Sequence, residues 1–473
     1  MKHINYFHLP KLLLDFHIVK ISTFVKIKIM KKFIIITIML PMIAFAQCWQ
    51  NIDAGGSHTL AIKNDGTLWS WGSNAYYKLG YDTGATLISY IPQQVGSSSW
   101  QSISSGFSQS AGIKTDGTLW TWGSIYSDMA TSFITPIKVG AENNWKSVSC
   151  GRNATIAIKN DGTLWNIIPI SNSYSTPSSM IQIGTDNIWK EVSANSIAVN
   201  ASTGVNYYIG LKTNGTLWAW GSRYFNNSTS TNPASFSSPI PIQISLESNW
   251  NKISKKSEQI SMMIKSNGSL WYWGVSENAV TGSTPDFFQV GSDLNWTKVD
   301  CRAHCLALKT DGTLWGWGTN FYGETANVTS SSPSQIGSNN NWTDISAGGS
   351  HSCIVNSNNS LYTFGYNALA QLGNGTTNNS NIPTQVSCSP LSIENFSDNS
   401  FIVYPNPAKD FIKIEKNNNL LIDEFILIDI YGKEVINQKN LTDKLNIQQL
   451  PNGIYLLQII CRDEKFNYKF IKE

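Results

Sequence analysis

Charge is scarce in this chain. Asp, Glu, Lys and Arg make up 14% of its 473 residues, against roughly a quarter in an average soluble domain. Asn, Ser, Thr and Gly take up the difference, a mixture that suits short strands joined by polar turns rather than helices. The motifs of common chemistry are missing too: there is no nucleophile elbow, phosphate loop or His-Glu metal motif. Acidic residues are scattered, and nothing marks a paired general acid and base. The sequence therefore nominates no catalytic, cofactor-binding or metal-ligating residue, and no cofactor.

A basic face is also absent. The formal charge is +3, but seven lysines and one aspartate fall within residues 1–46, which leaves 27 basic and 30 acidic residues beyond them. A slightly acidic remainder lacks the electrostatic footprint of a nucleic-acid binder. The one pronounced apolar run, FIIITIMLPMIAF after Met30-Lys31-Lys32, is too short for a comfortable permanent anchor. With a positive start before it and Ala44-Phe45-Ala46 after it, it reads as a secretory signal at 30–46, cleaved near Ala46. Met1 and Met30 are both open as the true start. Cys48 would then be the second residue, not the first as lipidation requires, and the mature chain would have no membrane span.

What the chain has in abundance is repetition. KNDGTLWSWG (63–72) returns as KTDGTLWTWG (114–123), KNDGTLWNII (159–168), KTNGTLWAWG (212–221), KSNGSLWYWG (265–274), KTDGTLWGWG (309–318) and NSNNSLYTFG (356–365). The turn positions Gly66, Gly117, Gly162, Gly215, Gly268, Gly312 and Asn359 step by 51, 45, 53, 53, 44 and 47 residues, a period that belongs to propellers and solenoids. Asp-Gly or Asn-Gly between alternating strands is a strong hairpin signal. Upstream of each lies a second landmark: Trp49, Trp100, Trp145, Trp189, Trp250, Trp296 or Trp342. Each unit thus predicts three or four antiparallel strands, too small a sheet to bury its own faces, and seven of them stacked in a ring cover one another.

The 18 tryptophans all fall in two slots of the unit. Confinement to fixed slots points to packing between blades rather than to a stacking surface for ligand. His58, His304 and His351 share one slot in copies one, six and seven, where a turn-supporting role is favoured over a metal site because no carboxylate pattern accompanies them. Cys150, Cys301, Cys305 and Cys353 read as small buried residues. Cys48 and Cys388 bracket the repeats, and ring closure in an oxidising compartment predicts a disulfide between them.

The unit resembles the repeats named for the regulator of chromosome condensation, on AGGSHTLAIKNDGTLWSWG (54–72), AGGSHSCIV (347–355) and AQLGNG (370–375). That resemblance covers about 47–387 and implies a seven-bladed β-propeller. Copy three departs at Asn166-Ile167, and copy four carries extra residues near 195–206. After a linker at 388–400 the texture changes to short alternating strands over 401–473, read as a small Ig-like β-sandwich. Tyr404-Pro405-Asn406-Pro407, then Gly432 in YGKEV, then Gly453 and Tyr455 in LPNGIY, resemble the sorting domain of type IX secretion cargo. This resemblance implies the type IX machinery as partner and a secreted or cell-surface location.

The expected class is all-β throughout. The expected function is non-catalytic binding of an unknown extracellular protein or glycan through the inter-repeat loops (73–99, 124–144, 166–188, 222–249, 275–295, 319–341, 366–381), which vary while the scaffold repeats. The alternative is a secreted polysaccharide hydrolase or lyase with its groups in the central channel.

Overall fold

The computed structural model describes residues 48–124, 132–152, 154–168, 179–198, 204–225, 234–256, 261–274, 285–388, 401–416, 422–429, 433–439, 444–461 and 464–473. The export signal at 30–46, residues 389–400 of the linker, and Gly432 lie outside them.

Antiparallel strands come in sequential groups of four. In blade 1 these are Trp49–Ala54, His58–Lys63, Thr67–Ser73 and the front of Ile88–Ser105. That last strand runs on as the first strand of blade 2, so the two blades share a seven-stranded sheet, and five separate four-stranded sheets follow. Among the described residues the only helical pieces are two short 3-10 turns, Ala75–Tyr77 and Gly84–Thr86, and no helix is long and apolar enough to cross a membrane.

The repeated decapeptide is a self-bracing turn. Asp65 Oδ1 accepts from the Thr67 N–H (2.9 Å) and hydroxyl (2.6 Å), and Thr67 Oγ1 in turn accepts from Trp69 Nε1 at 2.8 Å. Lys63 Nζ lies 3.5 Å from the centre of the Trp69 ring, a cation–π contact. Copies two to six repeat both features, with Ser269 for Thr in copy five. Gly66 sits at φ +83°, and its carbonyl accepts the Trp100 N–H of the next blade at 2.8 Å. The same bond recurs at every junction, and at the last one Asn359 (φ +53°) takes the glycine's place for Trp49.

Packing runs between blades as well as within them. Leu60, Ile62 and Leu68 of blade 1 share a core with Trp100, Ile103 and Trp122 of blade 2. Trp49, Ile52 and Trp71 share one with Cys353, Val355, Leu361 and Val386 of blade 7, which closes the ring. A fully buried indole removes enough apolar area to contribute roughly 4–6 kcal/mol, an upper figure. In copy three Ile167 fills the second indole's place and is itself buried. In copy four the extra residues lengthen the first hairpin, Trp189–Ala198 with Gly204–Lys212.

All four strands of blade 7 follow one another in sequence, and among the described residues no exchanged strand locks the ring. A covalent bond does so instead: Cys48 and Cys388 form a disulfide with Cα atoms 5.7 Å apart.

Residues 401–473 form a second all-β body of two sheets. One holds Phe401–Tyr404, Phe411–Lys416 and Lys444–Asn446; the other holds Glu434–Lys439, Glu424–Asp429, Gly453–Cys461 and Glu464–Lys472. Their shared core includes Phe401, Ile412, Phe425, Leu457 and Phe470. The motif residues are structural ties here. Asn406 Oδ1 accepts the Ile471 N–H at 2.9 Å, and the Tyr455 hydroxyl donates to Pro451 O at 2.9 Å while its ring stacks on Phe470. Tyr404 donates to Glu415, and Gly453 begins the long strand that ends at Cys461.

Candidate functional site

Two features of the propeller are built for more than packing: one face and the channel.

On the face that carries the first hairpin of each blade, Gly55 N–H bonds back to His58 O at 2.8 Å. A Cβ on Gly55 would overlap the His58 ring, and one on Gly348 the His351 ring, which explains the Gly-x-x-His pattern. Each histidine reaches into the following blade. His58 Nε2 lies 2.9 Å from Ser110 Oγ, His304 Nε2 lies 2.8 Å from Ser352 Oγ, and His351 Nε2 lies 2.9 Å from Thr59 Oγ1. Those hydroxyls donate to Lys78 O, Glu324 O and Gln371 O, so each must accept from the imidazole N–H. The neutral ring and the imidazolium both carry that N–H, and burial decides for the neutral form. Burial first, with nearby cations, holds His58 well below its ordinary value and brings His304 and His351 to about 3. They are blade-to-blade staples, a longer-range role than support of their own turns. Among the described residues no cluster of His, Cys, Asp and Glu is arranged to hold a metal ion.

The loops after the third strands of blades 6, 7 and 1 emerge on this same face. Each is folded around one buried or half-buried asparagine: Asn320 bonds Ala326 O, Val328 O and Thr325 N; Asn367 and Asn74 do the equivalent. One loop slot needs a left-handed backbone and holds Gly323 (φ +92°), Ala370 (φ +59°) and Tyr77 (φ +56°). Only glycine adopts this region freely, so Tyr77 and Ala370 are held there by their surroundings. These braced loops present aromatic side chains outward: Phe321 is 87% exposed, and Tyr322 packs against Tyr366 with ring centres 4.6 Å apart.

The channel is lined by the first strands of all seven blades and encloses a cavity of about 400 Å³. A single slot, Asp53, Ser104, Ser149, Ser193, Ser254, Asp300 and Ser346, runs around it. Its side chains tie blade to blade: Ser346 Oγ accepts Ala54 N–H (3.0 Å), Asp53 accepts Ser105 N–H, Ser104 accepts Cys150 N–H (2.9 Å), Ser149 accepts Ala194 N–H (2.9 Å), and Asp300 accepts Ala347 N–H (2.9 Å). Blade 5 differs. Where other copies have a small residue and usually glycine, it has Lys255-Lys256. Lys256 crosses the axis to Asp53 Oδ2 (2.7 Å), Ala54 O (3.0 Å) and Ser105 Oγ (3.0 Å). Burial alone would raise the Asp53 carboxyl, but Lys256, Lys255 and the Ser105 N–H outweigh it and lower it. At Asp300 burial prevails over the lysines and the carboxyl is raised.

The Lys255-Lys256 pair escaped the sequence reading, although its signal was available as two long cations in a slot that reads Ala-Gly, Ser-Gly or Cys-Gly in four copies, Ala194-Asn195 in copy four and Cys301-Arg302 in copy six. Cys301 and Cys305 correct a second expectation. They are buried, but they are joined to each other. They are direct register partners across a tight hairpin, with Cα atoms 4.1 Å apart, and pairing of opposed strands brings their side chains together. Cys150 and Cys353 remain buried thiols, both pushed up to about 12 by burial.

Comparison with known proteins agrees with this architecture. The regulator of chromosome condensation (RCC1) repeat matches at 49–77, 302–324 and 342–371, and a second form of that repeat matches at 65–113 and 358–402. The secretion system C-terminal sorting domain matches at 402–473. Among solved structures, human WBSCR16 is 16% identical with a TM-score of 0.54, over 68% of this chain and 94% of that one. Prp20p from Saccharomyces cerevisiae, studied with its binding to Gsp1p and histones, is 14% identical with a TM-score of 0.53, over 76% and 90%. Identities this low establish the fold alone. The chain carries RCC1-type repeats in a β-propeller and a type IX sorting domain, which points to secretion or the cell surface.

Proposed function

We propose that this protein is a secreted or cell-surface binding propeller, brought out by the type IX machinery acting on 401–473, that recognises an extracellular protein or glycan through its inter-repeat loops without turning it over. The observation that carries this reading is Phe321. A phenylalanine 87% exposed on a loop folded around Asn320 is an anchor held in water by a rigid support, and aromatic anchors dominate recognition surfaces. Tyr322 and Tyr366 extend the patch across two blades. The test is capture of surface proteins and glycans by the full chain and by a Phe321→Ala, Tyr322→Ala variant. Loss of capture with unchanged circular dichroism supports the loop surface; undiminished capture removes it.

The hydrolase alternative draws on one observation. Asp53 and Asp300 lie within 3.3 Å of the same Ser346 hydroxyl, and their acidities are shifted in opposite directions. Against it, Asp53 Oδ2 is held by Lys256 and by the N–H and hydroxyl of Ser105, while its Oδ1 shares the one Ser346 hydroxyl proton with Asp300, so it is an anchor rather than a free base. Release of reducing ends from a polysaccharide panel, abolished by Asp300→Asn, would reverse the preference.

A further inference from the structure

The channel holds groups that neither the loop face nor the blade-to-blade bonds use. Three buried polar atoms of residues lining the cavity have no hydrogen-bond partner: Asp300 Oδ1, Ser102 Oγ and Ser147 Oγ. Asp300 is 1% exposed, and its other oxygen is engaged by Ala347 N–H and Ser346. A buried acceptor without a partner is costly, so such an atom beside a cavity marks where a donor belongs.

Lys255 supplies the complementary donor. Its backbone carbonyl is fixed by Ser149 and Ser193, while its side chain stays accessible in the channel. Enclosure pulls its ammonium down, but Asp344, Asp53, Asp300 and Glu191 together raise it, so it remains a charged donor.

The charge pattern selects the ligand class. The carboxylates of Asp53, Glu191, Asp300 and Asp344 face the ammonium groups of Lys252, Lys255, Lys256 and Lys298, and Lys190 adds a fifth that is turned to Asn251 O (2.7 Å) and Oδ1 (3.0 Å). Glu191–Lys252 (3.1 Å) and Lys298–Asp344 (2.7 Å) are direct pairs. A full cation would meet Lys255, and a full anion would meet Asp300. A hydroxyl meets neither difficulty: it donates to Asp300, accepts from Lys255, and pairs in either sense with Ser102 and Ser147. Ile103, Val148 and Val299 supply apolar wall for carbon–hydrogen faces, and about 400 Å³ lies at the small end of the range for ligand pockets.

We propose that the channel binds a neutral, hydroxyl-rich small molecule of monosaccharide size, with Asp300 and Lys255 as its principal contacts. This site is separate from the loop surface and stands or falls without it.

The test is calorimetry of the full chain with glucose, galactose, mannose and N-acetylglucosamine in turn, and with glucuronate and calcium chloride as charged probes. At least one neutral sugar is expected to bind one per chain with a Kd of about 1 mM or tighter. Asp300→Asn, which keeps the shape while replacing an acceptor by a donor, is expected to weaken it about tenfold or more. Lys255→Gln, at an accessible side chain that leaves the Lys256 pair intact, is expected to do the same. Phe321→Ala is expected to change nothing here. Three results would overturn the site: no binding of any of the four sugars, preference for either charged probe, or sugar affinity unchanged by both channel substitutions in proteins with native near-UV dichroism.

Discussion

The ammonium of Lys256 sits 2.7 Å from the carboxylate of Asp53, both buried, across the axis of the ring from blade 5 to blade 1. A pair so placed joins parts of the propeller that no strand contact joins. Breaking a buried pair from one side leaves an uncompensated charge, which costs about 3–5 kcal/mol. Lys256→Met is therefore expected to lower unfolding free energy by that amount in urea titrations, and adding Asp53→Asn should recover part of the loss.

Acid sensitivity should come from the histidine staples. His304 and His351 are brought to about 3 and His58 well below its usual value, chiefly by burial, whereas an unfolded imidazole titrates near 6.5. The unfolded chain then binds more protons between these values, so the contribution is whole above pH 6.5 and is lost as pH falls towards 3. Copy two shows what can replace a staple. Gln109 stands in the same slot, accepts from Thr155 Oγ1 at 3.2 Å and donates to Ala154 O at 2.8 Å. The triple His→Gln variant at 58, 304 and 351 should keep its stability near pH 7 and show a flatter loss at pH 5, measured by chemical denaturation at both.

Lys78 offers the opposite test. It is buried against the Ser57 hydroxyl (2.7 Å), and burial, aided by Arg302, brings it down to about 7. An unfolded lysine holds its proton up to about 10.4, so stability should rise with pH between these values. Lys78→Gln, which copies Gln371 in the matching loop of blade 7, should stabilise the fold at pH 7 by about 1 kcal/mol or more, with a gain that shrinks towards pH 10.

The Cys48–Cys388 bond should matter more than its single link implies. It closes a loop of nearly the whole propeller, for which a loss of about 2–5 kcal/mol on removal is expected. Non-reducing peptide maps should return a 48–388 cross-link and a 301–305 link, with Cys150 and Cys353 as thiols. Cys388→Ser should lower the thermal midpoint, and recovery of both cysteines as free thiols would contradict the clasp.

The repeat was readable because its cause is local. Asp65, Thr67 and Trp69 brace one another within five residues, and Lys63 lies over the same indole, so each copy carries its own complete reason to recur. The Asp-Gly turn is legible on the same ground, since a left-handed backbone at Gly66 or Gly312 is a property of the residue itself. The channel was not readable in this way. Asp53 looked like one scattered acid and Lys256 drew no notice, because the partner of each lies some two hundred residues away.

Composition, period and turn chemistry by themselves determined an all-β chain of seven like units and a differently textured tail. Those properties are short-range and survive without knowing what touches what. Only the tertiary structure decided that Lys256 meets Asp53, that Cys301 meets Cys305, that the histidines bind the next blade, and that Asp300, beside the channel, has one buried oxygen without a hydrogen-bond partner. Closing the ring puts distant residues at contact distance, and the strength of an ionic or hydrogen-bonded pair depends on that distance and on burial, neither of which is written in the order of the chain.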